Sequence, residues 1–309
     1  MLACATLLVA CGGSLGSSGG SGIPGGSGDS NGGESTTSGP AYNMPGSVAL
    51  VAFNEGAAQT GNECAIDTSQ LAQGVVGASA RSDARLKFQV VKGEMSYNYD
   101  LPGDGTPIIV PINMGDGPYT FRVMQNTSGN NYVELFSVIE NVNLSSETAP
   151  FLVPNMFVNY NESSAVVAKA RELAQGAANQ GDVVRNIYQW VVDNITYDHD
   201  KAAQLASATG YVPDPDATLA SGTGICFDYA SLAAAMLRSQ GIPCKIITGY
   251  VSPDNIYHAW NMVYIDGTWV DAHIDIKQNT WTRIDTTFAA GSGSSYVGDG
   301  IAYTDLYTY

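Results

Sequence analysis

The sequence predicts an α+β chain, with an antiparallel β-rich unit followed by a unit in which helices give way to strands. Between about 46 and 145, short runs rich in β-branched and aromatic residues are separated by Gly- and Asn-containing turn signals. From 164 onward the apolar spacing becomes that of amphipathic helices, then returns to a period of two after the next Gly-x-Pro break at 241–243. Residues 12–44 stand apart from both units. They consist largely of Gly and Ser, gain little by folding, and read as a flexible tether.

The β-rich unit is assigned to 45–155. Its runs fall at 48–53, 85–91, 96–101, 107–111, 119–124, 132–138 and 142–144. In 119–124, Tyr, Phe and Val alternate with Thr, Arg and Met, as a half-buried strand requires. The turns PGDG at 102–105, GDG at 115–117 and SGNN at 128–131 separate the runs. Several short strands with few helical patterns predict a small antiparallel sheet packing or sandwich. A helix over 69–77 is weakened by its glycines. No nucleophile–base pairing is visible in this unit, which reads as an accessory or substrate-positioning domain.

The second unit is assigned to 156–309. Residues 164–178 are rich in helix formers, and Asp182 is positioned to cap a second helix over 183–194. The polar stretch from Tyr197 to Gly222, with Pro213 and Pro215, reads as a loop. A third helix starts at Cys226, in CFDYASLAAAMLRSQG, with Phe227, Leu232, Met236 and Leu237 on its buried side. Gly241 and Pro243 end it. Strands follow at 245–251 and 258–265, and Asp266-Gly267 makes a tight hairpin turn to a strand beginning at Thr268-Trp269. The segment NTWTRIDTTF puts Asp285 on a further strand.

This order suggests chemistry. A cysteine at a helix start meets unpaired amides and the positive end of the helix dipole, which favour the thiolate. Gly222 and Gly224 let the backbone approach closely just before it. His258 can then act as base and conjugate acid, with a carboxylate such as Asp285 fixing its tautomer. Taken one by one, these residues also fit plain structural roles. A cysteine at a helix start is often core, and His258 is one of three histidines, with His199 and His273.

Three segments change that balance: GTGICFDYASLAAAMLRSQGIPCKIITGY, HAWNMVYIDGTWV and WTRIDTTFAA. Together they resemble the transglutaminase-like superfamily, whose members show Gly-x-Gly-x-Cys, Gly-Ile-Pro, His-Ala-Trp-Asn, an Asp-Gly hairpin and Trp-x-x-x-Asp-x-Thr in this order. The likeness is strongest to bacterial extracellular members. It implies a papain-like, transglutaminase-like core with a Cys226–His258–Asp285 triad. Asp271 and Asp275 compete for the orienting role, but the Trp281-to-Asp285 spacing and Thr287 fit the family motif better. Met262 and Thr223 stand where relatives often carry an acidic residue and a Lys. The resemblance implies acyl chemistry on protein or peptide amides, most simply hydrolysis of the cysteine protease, peptidase or amidase kind. Transfer to an amine, as in a crosslinking transglutaminase, is the alternative, and a non-catalytic surface binding protein on the same core is another. Of the oxyanion donors, the Cys226 amide is the simplest candidate, ahead of Tyr229, Tyr188 and Trp260.

Composition narrows the partners. With 13 Lys plus Arg against 29 Asp plus Glu in 309 residues, the formal charge is -16. No basic cluster is present to displace phosphate counterions, so a nucleic-acid partner is not expected. No cofactor or metal site is indicated, and a monomer is expected. Cys4 and Cys11 fall in a leader at 1–11, where Leu-Val-Ala-Cys resembles a bacterial lipobox. This predicts an extracellular lipoprotein anchored at the cell surface through a lipidated Cys11, facing protein or cell-wall peptide substrates. Of the other cysteines, Cys64 and Cys244 could form a bridge, and the odd count leaves at least one free thiol.

Overall fold

A computed structural model describes residues 39–206, 208–251, 256–265, 267–271, 273–275, 280–282 and 303–309. The leader, Cys4, Cys11, most of the tether and Asp285 lie outside the described residues.

The architecture is α+β, with the β-rich part first. Its strands are β1 (Gln59–Gly61), β2 (Cys64–Asp67), β3 (Val75–Ala80), β4 (Leu86–Lys92), β5 (Met95–Leu101), β6 (Ile108–Pro111), β7 (Gly117–Ser128) and β8 (Asn131–Val142). They make two antiparallel four-stranded sheets, ordered β1-β2-β3-β6 and β5-β4-β7-β8. Alternating residues fill the core: Phe88 and Val90 of β4, Tyr97 and Tyr99 of β5, and Tyr119, Phe121 and Val123 of β7.

Three details differ from the sequence expectation. The run 48–53 forms no strand, and β1, β2 and β3 were not legible in the pattern. Residues 132–138 and Val142 belong to one long strand, β8, paired with β7 along its length, while Asn143 and Leu144 lie beyond its end. The suspected helix at 69–77 is a single 3-10 turn, Leu71–Gln73, ended by Gly74 at φ 91°, before the chain extends into β3. The run from Val75 to Ala80 is β-branched and small, and both of its flanks find antiparallel partners.

The helical part contains α1 (Ala165–Leu173), α2 (Gln180–Asn194), α3 (His199–Leu205), α4 (Pro215–Ser221) and α5 (Cys226–Ser239). Asp182 is not the N-cap of α2. Asn179 caps it, and Asp182 is the third helical residue, its carboxylate accepting from the amides of Ala178 and Asn179. The stretch read as a loop from Tyr197 to Gly222 contains α3 and α4. Asp198 and Asp214 cap them, with Pro215 in the first turn of α4. Two short parallel strands, β9 (Thr196–Tyr197) and β10 (Thr223–Gly224), tie the two ends of this stretch together.

The central sheet of this part is antiparallel and ordered β13-β12-β11-β16. Its members are β11 (Cys244–Val251), β12 (Ile256–Ile265), β13 (Thr268–Asp271) and β16 (Tyr303–Thr308), while β14 (His273–Asp275) and β15 (Thr280–Thr282) pair separately. Ile265 pairs with Thr268, so the hairpin turn is two residues long as expected, with Gly267 at φ 79°.

The two halves share one hydrophobic core. Their junction is aromatic. Phe157 lies 4.7 Å from Tyr309, 5.5 Å from Phe227 and 6.0 Å from Tyr99, while Tyr97 meets Tyr307 and Tyr309 edge-on. Phe227 follows Cys226, so the start of α5 is tied to the β-rich part through Phe157, which meets both Phe227 and Tyr99. The end of the presumed tether also docks here. Gln180 N–H donates to the Pro40 carbonyl, Tyr42 N–H to Ala178, and the Tyr42 hydroxyl to Gln240 at 2.9 Å. Residues 40–42 are therefore part of the folded body and not of the flexible linker.

Candidate active site

Cys226 is the first residue of α5, and its side chain is buried. The residue before it, Ile225, occupies the N-cap position and has no side-chain oxygen to offer, so the N-cap side chain bonds no amide of this helix. By contrast α2, α3 and α4 are each capped by an Asn or Asp side chain. With no N-cap oxygen, the first-turn amides of α5 receive no bond from the N-cap side chain, and the positive end of the helix lies at Cys226. The two glycines before Cys226 do different jobs. Gly222 ends α4 in the left-handed region at φ 66°. Gly224 makes room for a carboxylate, because a Cβ there would lie 2.6 Å from the Cβ of Asp228.

That carboxylate is fully buried and held from three sides. Oδ2 accepts from Lys201 Nζ at 2.6 Å and from the Ile225 amide at 2.9 Å, and Oδ1 accepts from the Tyr211 hydroxyl. Lys201 also sits over the Tyr211 ring, 4.8 Å from its centre. Sequence reasoning missed this cluster. Asp228 was legible as an acid at the third helical position, but Lys201 and Tyr211 reach it from 27 and 17 residues away. A cleft of about 310 Å³ opens beside it, lined by Lys201, Tyr211, Asp214, Thr218, Ser221 and Thr223 among others.

His258 is the third residue of β12 and is buried. It pairs with Gly249 of β11, where any larger residue would meet the Thr304 carbonyl 2.0 Å away. The Trp260 ring lies nearly parallel to the imidazole, 6.4 Å between centres. The pleat puts His258 and Trp260 on one face of β12 and Tyr257, Ala259 and Asn261 on the other. The second face receives α5: Asn261 Nδ2 donates to the Ala230 carbonyl at 3.0 Å and to Lys245 at 3.2 Å. Helix α5 packs on both β11 and β12, so Cys226 and His258 lie on neighbouring elements. Burial pushes the Tyr257 phenol up to about 12, its hydrogen bond to Thr248 opposes this, and Tyr307, Cys226 and Tyr250 add to the rise. Cys226 is thus within electrostatic reach of the residue that precedes His258.

The carboxylate candidates separate as follows. Asp271 is the last residue of β13 and pairs with Met262, and there the ladder with β12 ends. Asp275 does not face His258 across that ladder, as continued hairpin pairing would require. It belongs to β14 and pairs with Thr280. Asp285 lies outside the described residues.

Tyr229 is committed elsewhere, its hydroxyl donating to the Ile195 carbonyl at 2.7 Å in the core. Cys64 and Cys244 do not form a bridge. Both are free and buried, and burial pushes the Cys244 thiol up to about 12 and raises that of Cys64. Among the described residues no three His, Cys, Asp or Glu side chains cluster as metal ligands, and no helix is long and apolar enough to cross a membrane.

Residues 167–275 match the profile of the transglutaminase-like superfamily. The match takes in Cys226, His258, Asp271 and Asp275 and stops before Asp285. Curated relatives include a UPF0252 protein of Methanocaldococcus jannaschii, 26% identical over 195 residues, which are 60% of this chain and 53% of that protein. The Kyphoscoliosis peptidase of Mus musculus is 30% identical over 128 residues, 38% of this chain and 18% of the peptidase. The chain thus spans about half of the first and a fifth of the second. A Cytophaga hutchinsonii crystal structure, provisionally assigned as a cysteine protease, is 16% identical with a TM-score of 0.35, covering 76% of this chain and 86% of that one. The fold of the C-terminal half is of the transglutaminase-like, papain-like kind.

Proposed function

We propose that the chain is a thiol-dependent acyl enzyme acting on protein or peptide amides, with Cys226 as nucleophile and His258 as its base. The observation that carries this reading is Cys226 at the first position of α5, behind an N-cap residue with no side-chain oxygen, on a helix packed on the strand that bears His258. The thiolate attacks the amide carbon, a tetrahedral oxyanion forms against the Cys226 amide, and the imidazolium protonates the departing amine. Water activated by the same imidazole then releases the acid from the thioester. Asp285 is the preferred carboxylate for orienting His258.

Hydrolysis is preferred to transfer. A transferase shields its thioester from bulk water and holds an amine in an apolar channel. The long polar stretch from Tyr197 to Gly222 that precedes Cys226 carries only one aromatic beyond its first residue, Tyr211, to wall such a channel. The test is incubation with a glutamine-containing protein or cell-wall peptides, with and without a labelled primary amine. Release of acid and ammonia or amine that outpaces label incorporation is expected. Incorporation outpacing release would make the protein a transferase, and reactivity of neither kind would favour a binding role.

The lipobox-like Leu-Val-Ala-Cys before a Gly/Ser tether supports surface anchoring through a lipidated Cys11, with the acidic body held off the membrane. The mass of the mature N-terminus checks this. A diacylated or triacylated Cys11 is expected, and an unmodified chain retaining Met1 would reject it.

A further inference from the structure

We propose that Lys201 is a positioning residue for Cys226, which it serves by holding and neutralising the buried Asp228 carboxylate two residues further along α5. This rests on the reading of Cys226 as the nucleophile and adds a residue from outside the cysteine and histidine motifs.

The argument begins with charge. Asp228 has no exposed surface, Cys226 is buried as well, and the two stand two residues apart in the first turn of α5. A thiolate forming beside an unbalanced buried carboxylate would be opposed by it, because like charges in a poorly solvated site disfavour each other. Helix α5 needs this carboxylate all the same. Ile225 supplies no cap, and Asp228 Oδ2 takes up the Ile225 amide and so fixes the backbone where the chain turns into the helix. Lys201 reconciles the two demands. Its ammonium, 2.6 Å from Oδ2, cancels the charge while leaving the carboxylate able to accept the amide.

The geometry also makes Lys201 a fixed partner. It is the third residue of α3, and its own amide donates to the capping Asp198 side chain at 2.8 Å. The Asp198 amide in turn donates to the Gly224 carbonyl at 2.9 Å, two residues before Cys226. Helix α3 is therefore joined to the Cys226 segment by both backbone and side chain. Among the described residues, the titratable groups bonded to Asp228 are Lys201 from α3 and Tyr211 from the chain after it; Asp198 and Asp214 share the cleft with them, and β12 contributes Tyr257 on the Cys226 side.

The experiment is the pH dependence of Cys226 alkylation by iodoacetamide in the full chain, with the folded state of each variant checked by thermal melting. In the native protein the midpoint should lie below about 8.5, the value of an ordinary thiol, and should move on His258→Ala. Lys201→Met should raise the midpoint by about one unit, a roughly tenfold loss of alkylation rate below it. Lys201→Arg should restore it. The double variant Lys201→Met/Asp228→Asn should return it close to the native value, because the charge left unbalanced by the first change is removed by the second. A merely structural ion pair predicts no such recovery.

If Lys201→Met does not fold, Tyr211→Phe removes one donor to the same carboxylate without changing charge and should raise the midpoint by a smaller amount. An unchanged midpoint in the folded variant overturns the role of Lys201. A native midpoint near 8.5 that is insensitive to His258→Ala overturns instead the reading of Cys226 as nucleophile.

Discussion

Replacing Cys226 by Ala is expected to abolish acyl turnover, by at least about 10⁴-fold, with little loss of fold. The two halves of this expectation come from different features. Without the sulfur no thioester can form, and the positioned imidazole and helix amides are left with nothing to activate. The structural cost is small because Ala is the best helix former and the deletion removes one atom at a helix end. A loss of about 1 kcal/mol is expected, or roughly 2–4 °C in the melting midpoint. Turnover of a peptide amide, alkylation mapped by mass spectrometry and a thermal melt measure the three quantities. The other described thiols, Cys64 and Cys244, are buried with raised pKa values, so native labelling should report Cys226. Full turnover in the variant would remove the nucleophile from the proposed mechanism. Collapse of the melt would make Cys226 a packing residue.

The largest stability effect should come from Arg238→Met. Arg238 is buried in the last turn of α5 and, among the described residues, is paired with no Asp or Glu side chain. Its Nε and two terminal nitrogens donate to three carbonyls: Cys244 at 2.9 Å, Val153 at 2.9 Å and Tyr309 at 3.0 Å. These belong to the start of β11, the segment leaving the β-rich part, and the residue that follows β16. Burial pulls the guanidinium pKa downward. Methionine fills much of the volume but strands three carbonyls, at about 1–3 kcal/mol each. A total above about 3 kcal/mol, or roughly 6–12 °C in the melting midpoint, follows. A lysine could satisfy only part of the fork, so Arg238→Lys should fall between the two. A midpoint within 2 °C of native for Arg238→Met would mean that water or backbone movement satisfies those carbonyls.

Much of the fold could be read from the sequence where local chemistry determines it. The hairpin at Asp266-Gly267, the helix from Cys226 to Gly241 and the long alternating strands of the β-rich part each carry their own signal. The failures came where the deciding partner is remote. Residues 75–80 look helical or loop-like alone and become β3 because β2 and β6 pair with both edges. Helices α3 and α4 hid in a stretch judged by its prolines, although Asp198 and the Asp214-Pro215 pair are helix-start signals. At the site, Cys226 and His258 follow from motif order, and the structure gives them neighbouring elements. Lys201, Tyr211 and Tyr257 were not legible, because each acts through a contact that sequence spacing does not encode.

The order of strands in the central sheet has a consequence for how the protein is made. Strand β11, next to the histidine strand, pairs on its other edge with β16, which follows it by about fifty residues of chain. Tyr309 closes that edge, its backbone bonded in both directions to Ile246 and its ring set among Phe157, Phe227 and Tyr97. Until residues 303–309 have left the ribosome, β11 exposes an open edge and the junction between the halves lacks its central aromatic. Such distant pairing is slow to form, and an unpaired edge invites association with other chains in the meantime. The packing around Phe227, the residue after Cys226, is completed only when synthesis has reached β16 and Tyr309.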